Sequence, residues 1–121
     1  MPTILQISDC HLFADPAAEI RGVRTRETFL RVWDHACRSF PQADRLVLSG
    51  DLTHDERIET YRELHSIVAD WLPRLLVIPG NHDDRSLLRE VFRSPRVPGL
   101  ERIVFVEHLP GWQLIGSLCC T

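Results

Sequence analysis

Three short apolar runs, each breaking off into a turn loaded with Asp, His or Asn, constrain this chain more than any other feature. The first, residues 3–7, ends in Ser8-Asp9-Cys10-His11. The second, Leu46-Val47-Leu48, ends in Ser49-Gly50-Asp51-Leu52-Thr53-His54-Asp55. The third, Leu75-Leu76-Val77-Ile78, ends in Pro79-Gly80-Asn81-His82-Asp83-Asp84. None alternates apolar with polar residues, which predicts strands buried on both faces. Helical spacing fills the gaps between them. Phe29, Trp33, Ala36, Cys37 and Phe40 mark a helix that Thr25 can cap and Pro41 stops; Tyr61, Leu64, Val68 and Trp71 mark one that Asp55 can cap and Pro73 ends. A short helix over residues 85–92 and two strands, 103–106 and 112–115, joined by a turn at Pro110-Gly111, complete the order β-α-β-α-β-α-β-β. That order predicts an α/β fold with a mainly parallel sheet and right-handed crossovers.

Right-handed crossovers between strands lying side by side put both connecting helices on one face of the sheet. The residues after Phe92 are too few to supply a full layer for the other face. With 121 residues there is room for a single domain. The net charge of −3 offers no basic excess for neutralising phosphates along a nucleic acid. No apolar run reaches the ~18–20 residues that span a bilayer, and the N-terminus lacks the pattern of a secretory signal. Cys10, Cys37, Cys119 and Cys120 form no CxxC pair. A reduced, cytoplasmic protein is expected.

The chemistry sits at the strand ends. In open α/β sheets ligands bind at the carboxyl edge, and three adjacent strand ends aim Asp9, His11, Asp51, Asn81, His82 and Asp83 at one place. Carboxylates, imidazoles and an amide oxygen make a mixed O/N donor set that suits Mn, Fe or Zn. In Asp9-x-His11, alternate residues of an extended segment point the same way, so both can reach one ion while Cys10 points away. Gly50 and Gly80 permit sharp turns that bring the next side chain in. Asp51 has two oxygens with which to bridge two ions, and two ions roughly 3.5–4 Å apart can activate water and hold a phosphoryl oxygen for in-line displacement.

Asp-x-His, then Gly-Asp, then Gly-Asn-His-Asp resembles the calcineurin-like metallophosphoesterase superfamily. The loop Gly22-Val23-Arg24-Thr25 and the segment Gly50-Asp51-Leu52-Thr53 are most similar to the bacterial class III 3′,5′-cyclic AMP phosphodiesterases. The resemblance runs from Thr3 to about Gly116. It implies the N-terminal half of an αββα sandwich and two divalent ions, Fe, Mn or Zn. It further implies that Asp9 and His11 bind the first ion, Asp51 bridges both and Asn81 binds the second. His82 would contact the phosphate, with Asp83 orienting it, and His11, Asp51, Asn81 and His82 would line the substrate. The substrate would be a small phosphodiester or cyclic nucleotide.

The superfamily continues with an isolated His and a Gly-His-x-His motif that residues 1–121 do not contain, so a single incomplete domain is expected. A shifted reading frame or an early stop near Gly116 would account for the ending Ser117-Leu118-Cys119-Cys120-Thr121. Rival readings are an inactive remnant that at most binds metal, and another phosphoesterase such as a DNA-repair nuclease, which the charge disfavours. His35, His65 and His108 read as surface or packing residues, Trp33 and Trp71 as core, Cys10 as a spectator, and His54 as a residue of the site loop.

Overall fold

The computed structural model describes residues 1–92 and 105–116. In chain order the elements are β1 (Ile4–Ser8), β2 (Glu19–Ile20), β3 (Val23–Arg24), α1 (Thr25–Ser39), β4 (Arg45–Ser49) and α2 (Ile58–Ile67). A 3-10 helix, Ala69–Arg74, then leads into β5 (Leu75–Ile78), α3 (Arg85–Val91), β6 (Phe105–Leu109) and β7 (Trp112–Gly116).

The three apolar runs form one parallel sheet in the order β1-β4-β5, with Leu5 beside Leu46 and Leu46 beside Leu75. Period two then sorts the side chains. Leu5, Ile7, Leu46, Leu48, Leu75 and Val77 join one cluster with Phe29 and Trp33 of α1, Tyr61 and Leu64 of α2, and Leu88 of α3. All three helices therefore pack on the same face, the two connecting helices α1 and α2 as the crossover argument requires. Trp33 and Trp71 meet edge to face at 5.9 Å inside that cluster.

The other face departs from expectation. Val47 and Leu76 are buried there at 6% and 0% exposure, with Ile78 and with Leu114 of the β6–β7 hairpin. Arg45 and Glu107 form an ion pair at 2.7 Å that fastens the hairpin to the sheet. On β1 this face carries Ile4, Gln6 and Ser8, all three exposed, and Gln6 bonds to Ser49 at 2.9 Å. The first strand is thus an edge strand exposed on one side, not one buried on both. The expected strand at 103–106 is Phe105–Leu109; residues 103 and 104 lie outside the described residues.

The predicted caps are also corrected. Thr25 is already helical, and its hydroxyl donates to the His11 carbonyl at 2.8 Å. The second helix starts at Ile58, because the Asp55 carboxylate is engaged by the Ala14 amide at 2.7 Å and the Thr60 hydroxyl at 2.8 Å. That helix ends at Ile67, and Trp71 and Pro73 belong to the 3-10 turn. Phe40 is exposed just beyond the end of α1. Two very short strands, β2 and β3, were not foreseen.

Candidate metal centre

Each ligand loop begins where a parallel strand ends, and the loops are laced together by backbone hydrogen bonds. The Asp9 amide donates to the Gly50 carbonyl at 2.9 Å, His11 to Asp51 at 2.9 Å, Leu12 to Leu52 at 3.0 Å, and His54 back to Leu12 at 2.9 Å. The Gly50 amide donates to Ile78 at 2.8 Å, which adds the third strand. The adjacency of the strands is thereby carried past the sheet into the turns.

The turns are not extended. Asp9, His11 and Asp51 have φ of 56°, 46° and 46°, in the left-handed region. The reading of Asp9-x-His11 as alternating strand residues is therefore wrong in its geometry. The two side chains converge through paired left-handed residues while Cys10 turns into the core at 7% exposure. Gly50 needs its own freedom at φ 78°. Gly80 serves by close approach: a Cβ there would collide with the Asp51 amide and carboxylate.

Asp9, His11 and Asp51 each present a donor atom, and these atoms lie within 4.8 Å of one another. His11 Nε2 faces Asp9 Oδ1 at 3.9 Å and Asp51 Oδ2 at 3.8 Å. Those gaps are too long for hydrogen bonds, yet two ligands bonded at about 2.1 Å to one ion can span them. Two carboxylates and an imidazole, half-open to solvent, are a suitable donor set for a borderline divalent ion. The Cys10 thiol is not part of it. Burial, with Asp83 and Asp9 adding to it, pushes its pKa up to about 12, so it stays protonated.

Of the other expected site residues, His82 is exposed beside the donors. Its amide donates to Asp51 Oδ1 at 2.9 Å, and its ring lies 5.6 Å from that of His11. One of the two oxygens expected to bridge ions is thus already bonded. Asn81 is exposed and directly precedes His82.

Asp83 is buried and fastens the loops. Its Oδ2 accepts from the Gly80 amide at 2.7 Å and the Leu52 amide at 3.0 Å. Its Oδ1 accepts from the Thr53 amide and the Tyr61 hydroxyl, both at 3.0 Å. Its hold on His82 runs through backbone and Thr53, whose hydroxyl lies 3.1 Å from the His82 carbonyl. Tyr61, read from sequence as a core residue only, supplies this phenol from α2. Burial raises its pKa, and it also accepts from the Asp84 amide at 2.8 Å. A buried Tyr needs a partner for its hydroxyl, and that was the signal available. His65 packs edge to face on Phe92, and His108 is exposed on the β6–β7 hairpin.

The calcineurin-like phosphoesterase family matches residues 2–120, and the chain belongs to that family. The sheet and its three helices match the N-terminal part of the metallophosphoesterase fold. A Haemophilus influenzae protein named 3′,5′-cyclic adenosine monophosphate phosphodiesterase CpdA is 30% identical over 112 residues, covering 93% of this chain and 40% of its own length. The Escherichia coli K12 protein of the same name is 28% identical over the same share of each. A Nostoc 3′,5′-cyclic-nucleotide phosphodiesterase is 35% identical over 81 residues, 67% of this chain and 30% of its own. The chain therefore spans about 40% of the length of these two CpdA relatives.

Proposed function

We propose that these 121 residues form the N-terminal part of a metal-dependent phosphodiesterase domain acting on a small phosphodiester, with a 3′,5′-cyclic nucleotide such as cyclic AMP as its substrate. The observation that supports this most is the convergence of the Asp9, His11 and Asp51 donors at the carboxyl edge of a parallel sheet. Fe, Mn or Zn ions bound there would supply Lewis-acid polarisation of the phosphoryl group and a nucleophile at neutral pH. The chain's own residues hold and orient. Asp9, His11 and Asp51 would hold the first ion, and Asp51 with Asn81 would contribute to a second. His82 offers an imidazole to the phosphate or the leaving oxygen. Asp83 keeps the two loops in register.

Residues 1–121 contain no Gly-His-x-His, the motif that by the superfamily resemblance would supply further ligands of the two-ion set. One weakly held ion and near-background hydrolysis follow for the 121 residues alone, which is the remnant reading applied to the isolated chain. Among the described residues no other His, Cys, Asp or Glu joins the three donors. The net charge of −3 supports a small-molecule substrate over a nucleic acid. Free thiols at Cys10 and Cys37 support a cytoplasmic setting. No helix among the described residues is long and apolar enough to cross a membrane.

The test joins residues 1–116 to the C-terminal remainder of the Haemophilus influenzae relative. With Mn, the chimera is expected to hydrolyse cyclic AMP and bis(p-nitrophenyl) phosphate, and the Asp51→Ala chimera is not. A folded, Mn-binding chimera inert toward both would overturn the assignment.

A further inference from the structure

A histidine outside the expected ligand set lies against two members of the site. His11 Nε2 faces the Asp9 and Asp51 carboxylates, and its opposite nitrogen, Nδ1, lies 3.2 Å from Nδ1 of His54. The His54 ring also stacks on that of His82, with centroids 4.8 Å apart and planes 22° apart. Phe13 backs the same ring at 5.1 Å. The backbone is fixed as well, through the His54 amide on the Leu12 carbonyl and the bridge between Leu12 and Thr53. His54 is half-buried, and its position is set from three sides.

Two neutral imidazole nitrogens at that distance share a single proton, one donating and the other accepting. A nitrogen that binds a metal must keep its lone pair free. If His11 meets the ion through Nε2, its proton sits on Nδ1 and is donated to His54. His54 then carries its own proton on Nε2. Metal-ligating histidines commonly donate their second N–H in this way, and the acceptor fixes both ring orientation and tautomer.

We propose that His54 is a positioning residue of the site. It accepts the Nδ1 proton of His11, so that Nε2 is left open toward the metal, and it holds the His82 ring by stacking. The inference rests on the metal reading above.

Two substitutions separate the two contacts. His54→Asn keeps an acceptor near the place of Nδ1 but loses the ring. His54→Phe keeps the ring against Phe13 and His82 but loses the acceptor. The probe is Zn²⁺ with the whole chain, read by calorimetry and by imidazole nitrogen–proton NMR. The wild type is expected to show His11 bound through Nε2 with a protected Nδ1 proton. His54→Phe and His54→Ala are expected to lose Zn²⁺ affinity by ~10–100-fold, and the Nδ1 proton signal with it. His54→Asn is expected to restore both.

Wild-type affinity in a folded His54→Ala chain overturns this inference and leaves the metal reading standing. So does His11 binding Zn²⁺ through Nδ1 in the wild type, a result that needs no variant to fold. A wild-type chain that binds no Zn²⁺ overturns both.

Discussion

Replacing Asp83 by Ala tests whether one buried carboxylate holds the two ligand loops together. Four donors lie within 3.0 Å of it, the Gly80, Leu52 and Thr53 amides and the Tyr61 hydroxyl, and the Thr53 hydroxyl stands further off at 3.4 Å. After truncation, Gly80 is open enough to find water, and the Tyr61 hydroxyl can turn toward Thr53 Oγ1 at 3.2 Å. Leu52 and Thr53 are both at 0% exposure, so their amides have no ready substitute. An unsatisfied buried donor costs about 1–3 kcal/mol. Two of them give a central expectation of about 4 kcal/mol, against a typical domain stability of about 5–15 kcal/mol. With a urea m-value of roughly 2 kcal/mol per molar, the unfolding midpoint falls by ~2 M. Asp83→Asn is a sharper version. It preserves shape, but whichever way the amide turns, its NH₂ faces at least one backbone N–H that the carboxylate had satisfied. The assay is urea unfolding followed by circular dichroism, with wild-type and variant slopes compared. An Asp83→Ala midpoint within ~0.3 M of wild type, at equal slope, would refute the anchoring role.

Asp51→Ala is expected to abolish most Mn binding measured by calorimetry, since that side chain both faces His11 and receives the His82 amide; two tightly bound Mn per wild-type chain would contradict the single-ion expectation. Gly80→Ala places a methyl group against the Asp51 amide and carboxylate; Mn affinity should fall at least ~10-fold, the size of effect seen when a group that orients a metal ligand is lost, and an unchanged titration would show that the loops do not need this approach. Stability should decline as pH rises above 9. The unfolded Cys10 thiol, at 9.0, then ionises while the folded one, held near 12, does not, so the contribution present below pH 9 is lost toward pH 12. Thermal melts across that range should fall less steeply for Cys10→Ala, and parallel slopes would exclude this cause.

What could be read from the sequence was what depends on composition over a few residues. The unbroken apolar runs at Leu46–Leu48 and Leu75–Ile78 specify strands covered on both faces, and those strands are so covered. The helical stripe through Phe29 and Trp33 faces the sheet as its spacing demands. The illegible parts depend on partners distant in the chain. Thr25 and Asp55 have the chemistry of helix caps, but tertiary partners, His11 and Ala14, claim their side chains. The β2–β3 hairpin turns at Arg21 and Gly22, both at positive φ, where only the Gly announced a turn. Cover for the second face comes from Leu114 and the Arg45–Glu107 pair, and neither can be read from the pattern of the sheet strands.

The site shows the same division, with a further constraint. Donor types and their places after three strands are explicit in the sequence, yet the backbone that aims them is irregular. A left-handed conformation costs an ordinary L-residue roughly 1–2 kcal/mol, and three donor residues adopt it here. Glycine would remove that cost and the donor with it. Asp and His are among the few side-chain-bearing residues that enter this region with above-average frequency, and they are also the ones that bind a borderline divalent ion. The two requirements select the same residue types, so Asp9, His11 and Asp51 can serve as both turn and ligand. The residual strain is opposed by the ladder from Asp9 to His54 and by the Asp83 anchor beneath it. Backbone order in these turns and donor convergence are consequently one property, and loosening the anchor is expected to degrade both together.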